Sequence, residues 1–207
     1  MEQLSIVELV KALEKAFDHC NKQYFGGMVD RPVITIAQGA KARAYGWVSV
    51  KPVWHEIEGE KQAHELNISS EYLNRDFCEI VTTLMHEIVH LENIRNDVQD
   101  VARGGSRHNK KFSDCADAHG MEGYKGDDYS KVGYRARLTE QTKNDLLPAL
   151  EFLQKEITLC RDEAGEKRKK ASKVLKYSCP VCGASCRATK ELSIMCMDCD
   201  EAMILED

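Results

Sequence analysis

Residues 75–94 read RDFCEIVTTLMHEIVHLENI, and this stretch decides the fold prediction. Its apolar residues recur every three or four positions, as they do on one face of an α-helix that packs into a core. These residues are Phe77, Ile80, Val81, Leu84, Ile88 and Leu91. The pattern therefore predicts a long amphipathic helix, and the middle of that helix contains the sequence His86-Glu87-Ile88-Val89-His90.

The two histidines of this helix have the spacing of ligands to one metal ion. Residues four apart lie on the same helix face, one turn apart, so His86 and His90 can both reach a single Zn²⁺. Glu87 points elsewhere around the metal and is predicted to be a general base that takes a proton from zinc-bound water. Zinc lowers the pKa of that water towards ~7. The motif therefore predicts hydrolysis, with attack on a peptide carbonyl.

A catalytic zinc site needs a third protein ligand, and the downstream candidates are His108, His119 and several acids. His108 lies 18 residues after His90, in a segment whose glycines allow the chain to fold back over the helix. His119 precedes Gly120, where a histidine at a helix C-terminus is an ordinary structural choice. We therefore predict His108 as the third ligand.

Two supporting roles near this site remain open at this point. A carboxylate can orient a ligand histidine through its second ring nitrogen, and the candidates are Asp100, Glu92 and Asp97. A tyrosine hydroxyl can stabilise the oxyanion of a tetrahedral intermediate, and the candidates are Tyr124, Tyr129 and Tyr134. Packing is the alternative role for each tyrosine.

The C-terminal region predicts a second, structural zinc site. Its ligands would be two Cys-x-x-Cys pairs separated by 13 residues: Cys179, Cys182, Cys196 and Cys199. Four thiolates leave no position for a substrate, so such a site is structural. A unit of 31 residues, 177–207, buries too little apolar surface to fold alone, and metal binding would supply its stability. Cys186 is an alternative ligand between the pairs.

Composition excludes several classes of protein. Among 207 residues, 43% are hydrophobic and 30% are charged, which is a soluble globular balance and not that of a disordered chain. No apolar run approaches the ~18–20 residues that span a membrane, and the N-terminal residues do not resemble a secretory signal peptide. We expect a cytoplasmic protein, with a nuclear or nucleoid-associated location as the alternative. In that compartment the nine cysteines are expected to be metal ligands or buried thiols and not disulfides.

The net charge of −5 is distributed unevenly along the chain. It is −5 over residues 1–160, +4 over 161–176 and −4 over 177–207. We therefore predict a main domain over 1–140, a helical basic connector over 141–176 and the ribbon over 177–207.

Basic side chains in two places predict contact with DNA phosphates. They are the connector residues Lys167 to Lys176 and, around the third ligand, Arg103, Arg107, Lys110 and Lys111. The overall charge and the acidic ribbon oppose nucleic-acid binding, so a solvated surface is the alternative.

The remaining elements predict an α+β chain. A capping box at Ser5 and Glu8 begins a helix that ends near Asn21. Strands follow at 33–36, 44–50 and 65–68, then a short helix at 111–119. A further helix starts near Asn144, with Pro148 in its first turn.

At this point the sequence resembles the SprT-like zinc metalloproteases. The resemblance rests on Asn21–Gly27, Val81–Leu91, Asp100–Phe112 and the C-terminal cysteine pairs. It implies a gluzincin-like domain of helices on a small mixed sheet, followed by a zinc ribbon. It also implies His86, His90 and His108 as ligands, Glu87 as the catalytic base, and a groove where an extended peptide pairs with an edge strand.

Some members of that family cleave proteins crosslinked to DNA. The functional expectation is therefore a zinc endopeptidase that acts on DNA-bound or DNA-crosslinked proteins. Two alternatives stay open: a non-proteolytic adaptor that binds nucleic acid or protein, and a regulatory protease that cuts one partner and is unrelated to DNA.

Overall fold

A computed structural model describes residues 4–39, 44–102, 107–162 and 175–206. The chain divides into two compact units, residues 1–162 and 163–207. The first unit contains α1 (Val7–Tyr24), β1 (Val33–Ala37), β2 (Gly46–Val48), β3 (Trp54–His55), β4 (Gln62–Ala63), β5 (Glu65–Ser69), a 3₁₀ turn (Ser70–Tyr72), α2 (Phe77–Arg95), β6 (Val101–Ala102), β7 (Arg107–His108), α3 (Lys110–Ala118), β8 (Met121–Lys125), α4 (Tyr129–Val132), β9 (Tyr134–Leu138), α5 (Glu140–Ala149) and α6 (Glu151–Glu156). Within the described residues, no helix combines the length and the apolar character needed to cross a membrane.

The largest sheet of the first unit has three strands in the order β1-β5-β2. β1 runs parallel to β5, with Ile34 opposite Leu66, and β2 runs antiparallel to it, with Gly46 opposite Ile68. Helices and a small mixed sheet therefore form one chain, which confirms the α+β prediction. β2 lies at the edge of this sheet.

α2 occupies the centre of the first unit. Asp76 caps its N-terminus by accepting a hydrogen bond from the Cys78 N–H at 2.9 Å. The apolar residues of α2 are buried on more than one side of the helix, as expected when neighbours surround it. Its neighbours include α1, α3, α5, β2, β5 and β9. A helix held from several sides is a rigid support for the side chains that it carries.

The two ends of the first unit differ from the prediction. α1 begins at Val7 without a side-chain cap, and Glu8 forms an ion pair with Lys11 at 2.7 Å, so the expected capping box is not formed. α5 begins at Glu140 and not near Asn144, so Pro148 lies near its end. Leu146 of α5, Leu153 of α6 and Leu150 between the two helices join the hydrophobic core of this unit. Except for Glu140, these helices lie inside the range 141–176 that the sequence assigns to a connector.

The second unit is built of short strands. They are β10 (Leu175–Ser178), β11 (Ser185–Ala188), β12 (Met195–Cys196), β13 (Glu201–Ala202) and β14 (Ile204–Glu206). β11, β10 and β14 form an antiparallel sheet in that order, and β12 pairs with β13. Tyr177 is buried, and its hydroxyl accepts a hydrogen bond from the Leu192 N–H at 3.0 Å. Few other apolar side chains are buried among the described residues of this unit.

Candidate metal centres

The three predicted histidines converge in the first unit. His86 and His90 project from α2, and His108 is the last residue of β7. The Nε2 atom of His90 lies 3.2 Å from Nε2 of His86 and 3.2 Å from Nε2 of His108. The ligand atoms of all three lie within 4.8 Å of one another, so this histidine group could hold a metal ion.

Two backbone pairings bring His108 to the helix. β6 pairs with β7, with Val101 opposite His108, so the chain turns back after α2. His108 also forms a bridge with Gly133. Gly133 has φ +80°, and a Cβ there would stand 1.9 Å from the carbonyl oxygen of His108. Glycine is therefore required at 133, both for its φ and for the close approach of the two backbones.

The second ring nitrogens of two histidines are fixed by hydrogen bonds. His90 Nδ1 donates to Asp100 Oδ2 at 2.7 Å, and Asn93 donates to the same oxygen at 2.9 Å. His108 Nδ1 donates to the backbone carbonyl of Tyr134 at 3.1 Å. Of the three carboxylates considered from sequence, Asp100 is therefore the one that orients a histidine. Because Nδ1 carries the proton in these bonds, the Nε2 atoms of the neutral rings present lone pairs.

The pKa shifts of His86 and His108 favour the neutral rings that a cation requires. Burial and the neighbouring imidazoles of His90 and His108 hold the pKa of His86 well below its usual range. Burial, together with His90, lowers the pKa of His108 to about 4. Burial also opposes charge on His90, but the hydrogen bond to Asp100 and the nearby carboxylates outweigh it and raise its pKa. When His90 and His108 are neutral, their Nε2 lone pairs face each other at 3.2 Å and repel, and a shared cation removes that repulsion.

Phe112 supports all three imidazoles from α3. Its ring is fully buried, and its centroid lies 4.6, 4.9 and 4.3 Å from those of His86, His90 and His108. Sequence reasoning did not assign this residue. Its position four residues after His108 on a predicted short helix was the available signal, since residues near a ligand often pack against it.

Glu87 lies beside the histidine group. Its side chain is buried, with 5% exposed, and a Cβ on Gly46 of β2 would stand 3.0 Å from its Oε1 atom. Among the described residues nothing hydrogen-bonds its carboxyl group. Burial raises the pKa of Glu87 to about 7, with a smaller contribution from Asp100 and an opposing one from His90. An unbonded carboxyl whose pKa lies near neutrality is able to exchange a proton with a bound molecule.

The histidine group and Glu87 line one cleft of about 1100 Å³. Its walls are formed by one face of α2, by β2, by residues 97–101 and by β9. Of the three candidate tyrosines, Tyr124 lines this cleft, whereas the rings of Tyr129 and Tyr134 pack edge to face at 5.2 Å. The volume is close to the upper limit of about 1,000 Å³ for ligand pockets in proteins.

His119, the alternative third ligand, has a structural position. Its Nδ1 atom donates a hydrogen bond to the Tyr24 carbonyl at 2.7 Å. Its ring stacks on Phe25 with the centroids 4.3 Å apart. His119 therefore links the end of α3 to the end of α1, outside the histidine group.

The four predicted cysteines form a second group that could hold a metal ion. The Sγ atoms of Cys179, Cys182, Cys196 and Cys199 lie within 4.8 Å of one another. Cys186 lies on β11 opposite Tyr177 and is outside this cysteine group.

The chemistry of the cysteine group also fits a cation. Hydrogen bonds from the Cys182 and Val181 N–H groups lower the pKa of Cys179 to about 7. Interaction with the Cys182 thiol, together with burial, raises the pKa of Cys199 to about 12. The four sulfurs cannot all ionise side by side without a positive charge, which a bound metal supplies.

The predicted DNA contacts are only in part within the described residues. Arg103 and residues 167–173 lie outside them. The Arg107 guanidinium packs over the Tyr129 ring at 4.8 Å, and Lys110 forms an ion pair with Asp114 at 2.5 Å. Lys111 is exposed, and Lys176 forms an ion pair with Glu206 at 2.6 Å. DNA contact stays a prediction.

Comparison with known proteins adds no assignment. No protein-family model, curated protein or solved structure matches this chain.

Proposed function

We propose that this chain is a zinc-dependent endopeptidase of the SprT-like type, with a gluzincin-like catalytic domain and a C-terminal zinc ribbon. The observation that carries the proposal is the position of Glu87. Its carboxyl group is buried and unbonded among the described residues, and it lines the same cleft as three converging imidazoles. A purely structural metal site has no need of such a group.

The histidine group would hold the catalytic zinc ion. Three neutral nitrogen donors leave a coordination position open, as in catalytic zinc sites, whereas the four thiolates of the cysteine group would close a structural one. When bound, zinc supplies a Lewis acid that polarises a carbonyl and acidifies water. Asp100 and the Tyr134 carbonyl keep the imidazoles oriented.

Glu87 would move the proton. Its carboxylate accepts a proton from the attacking water and then delivers it to the amine nitrogen that leaves. Tyr124, on the wall of the cleft, is our candidate for a hydrogen bond to the oxyanion.

The edge of β2 would bind the substrate backbone. The Tyr45 carbonyl accepts from the Ser69 N–H at 3.0 Å, and the Ser49 N–H donates to the Glu65 carbonyl at 2.9 Å. Because bonding alternates along an antiparallel pair, the N–H and C=O groups of Gly46 and Val48 point away from β5. No described strand pairs with that edge. An extended peptide could add there, next to Glu87.

Replacement of Glu87 by Gln tests the proposal. We expect the variant to keep its bound zinc and to lose cleavage of an unfolded protein by a factor of about 10²–10⁴, because only the base is removed. Glu151→Gln, on an exposed residue of α6, is the matched control and should retain activity. Proteolysis that survives in Glu87→Gln would contradict the assignment.

The substrate class is tested by the same pair of proteins on a DNA-binding protein, with and without single- and double-stranded DNA. Cleavage stimulated by DNA supports an enzyme that acts on DNA-bound or DNA-crosslinked proteins. Cleavage indifferent to DNA favours a narrow regulatory protease. Absence of cleavage from every substrate favours a non-proteolytic adaptor.

A further inference from the structure

Arg75 is a cation in the wall of the catalytic cleft. It precedes α2, lines the cleft together with Tyr45 and Thr83, and has only 14% of its side chain exposed. This burial lowers the pKa of its guanidinium, against the opposing effect of Glu79. A buried cation that faces a cleft costs free energy of desolvation, which a bound anion can offset.

The guanidinium of Arg75 is held in one orientation. Nε donates to the Tyr72 carbonyl at 3.0 Å, and Nη2 donates to the Thr83 hydroxyl at 2.9 Å. The Cζ atom lies 3.9 Å from the centre of the Tyr45 ring, which packs edge to face on Tyr72 at 4.9 Å. The two hydrogen bonds use two of the five N–H groups. The remaining N–H groups of this fork, on Nη1 and Nη2, are held in a fixed plane and are suited to binding a carboxylate.

The charge of Arg75 is poorly neutralised within the protein. Glu79 Oε2 lies 3.9 Å from Nη1, beyond hydrogen-bond distance, and the Glu79 side chain is 61% exposed. In the described parts of the chain no other carboxylate lies within 4 Å. By contrast, two other arginines of the cleft are held by carboxylates on both nitrogens of the fork: Arg135 by Asp128 and Arg137 by Glu122.

Arg75 also lies close to the reacting end of the cleft. Its partner Thr83 precedes Glu87 by four residues, about 6 Å along the helix axis. A Cβ on Gly46 would stand 3.0 Å from both Thr83 Cγ2 and Glu87 Oε1, so one residue of β2 touches both. A peptide paired with β2 advances about 3.4 Å per residue. Its side chain one or two residues from the cleaved bond would therefore reach Arg75.

We propose that Arg75 forms a carboxylate-binding subsite that selects peptides with an aspartate or glutamate one or two residues from the cleaved bond. The inference rests on the proposed function, because it takes the cleft as the substrate site. The ligand is the side-chain carboxylate of an extended peptide.

Peptide binding to the full-length, zinc-loaded Glu87→Gln protein tests the subsite without relying on turnover. Fluorescence anisotropy is measured with labelled extended peptides that differ only by Glu or Gln at one position, scanned along the peptide. At one position we expect the Glu peptide to bind about tenfold more tightly, and the preference to decrease as salt is added.

Three variants in the Glu87→Gln background assign the preference. Arg75→Gln should abolish it, and Arg75→Lys should keep part of it, because the charge remains without the fork. Arg31→Gln, which removes an exposed arginine paired with Asp18, should leave it unchanged. Peptides with amidated C-termini separate a side-chain carboxylate from a terminal one, and a preference that disappears on amidation contradicts the proposal.

The outcomes separate this inference from the proposed function. Equal binding of Glu and Gln peptides at every position, absence of measurable peptide binding, or a preference that survives in folded Arg75→Gln overturns the subsite. Cleavage by the wild-type protein without a preference for acidic residues would support the endopeptidase proposal and contradict the subsite. An Arg75-dependent preference for Glu peptides in a protein that cleaves no substrate would support the subsite and contradict the endopeptidase proposal.

Discussion

The histidine group and the cysteine group differ in what holds their ligands. Two histidines project from α2, which the core of the first unit surrounds, and Phe112 packs against all three rings. The cysteines lie on short strands and turns of a unit in which few apolar side chains are buried among the described residues. We therefore expect the first arrangement to persist without metal and the second to depend on a bound metal for its stability.

Removal of metal should therefore unfold the second unit and leave the first unit folded. With a strong chelator, or in Cys199→Ser, we expect the second unit to unfold, because structural zinc contributes on the order of 10–16 kcal/mol to such units. Amide hydrogen exchange resolved by residue should show loss of protection in β10, β11 and β14 and unchanged protection in α2. If the amides of β10 stay protected after chelation, the second unit does not depend on metal for its stability and does not differ from the first in this respect.

Truncation of Phe112 should destabilise the first unit and lower the zinc affinity of the histidine group, because its ring packs in the core against all three imidazoles. Phe112→Ala removes a fully buried ring, so we expect the free energy of unfolding of the first unit to decrease by about 3–5 kcal/mol. Denaturant unfolding measures this change, and zinc titration should show weaker binding. Phe152→Ala, at a position that is 37% exposed, is the control and should cost much less.

Neutralisation of Asp100 should affect metal binding without unfolding the unit. Asp100→Asn keeps the shape of the side chain but weakens the charge-assisted bond to His90, so zinc affinity should decrease by about 10–100-fold. Competition with a chromophoric chelator measures the affinity. Asp97→Asn is a matched control, since Asp97 also lines the cleft and asparagine tolerates its positive φ of 52°. Equal losses of zinc affinity in both variants would show that Asp100 does not orient His90.

A methyl group on Gly46 should have the smallest effect on stability. In Gly46→Ala the new Cβ meets the Asn67 carbonyl, Thr83 and Glu87 at 3.0 Å, so we expect a cost of about 1 kcal/mol. Displacement of Glu87 should also lower the rate of peptide cleavage while zinc affinity stays constant. Weaker zinc binding in this variant would show that β2 positions the ligands as well as the base.

The His86–His90 pair and each cysteine pair could be predicted because the spacing within each pair is local. Helical period places His86 over His90, and each Cys-x-x-Cys pair forms one turn. The choice of Asp100 over Glu92 and Asp97 was not accessible in this way. It depends on the pairing of β6 with β7, two strands of two residues each, which are too short to carry a hydrophobic period.

Helix ends were less predictable because their signals compete with tertiary packing. The Ser5 and Glu8 pattern is that of a capping box, yet α1 begins at Val7, and Leu4 is exposed, so no packed side chain fixes the entry of the chain. Thr139 caps α5 by accepting from the Thr142 N–H at 3.1 Å, directly after Leu138 is buried in the core. The burial of Leu138, which fixes where this helix begins, was not visible in the sequence.

The two bonds that orient the histidines constrain evolution differently. His90 depends on a side chain, the carboxylate of Asp100, whereas His108 depends on the backbone carbonyl of residue 134. Substitution at 134 leaves that carbonyl in place, but substitution at 100 removes the acceptor, and any side chain at 133 would collide with His108. Homologues that retain this site should therefore be nearly invariant at positions 100 and 133 and free to vary at position 134.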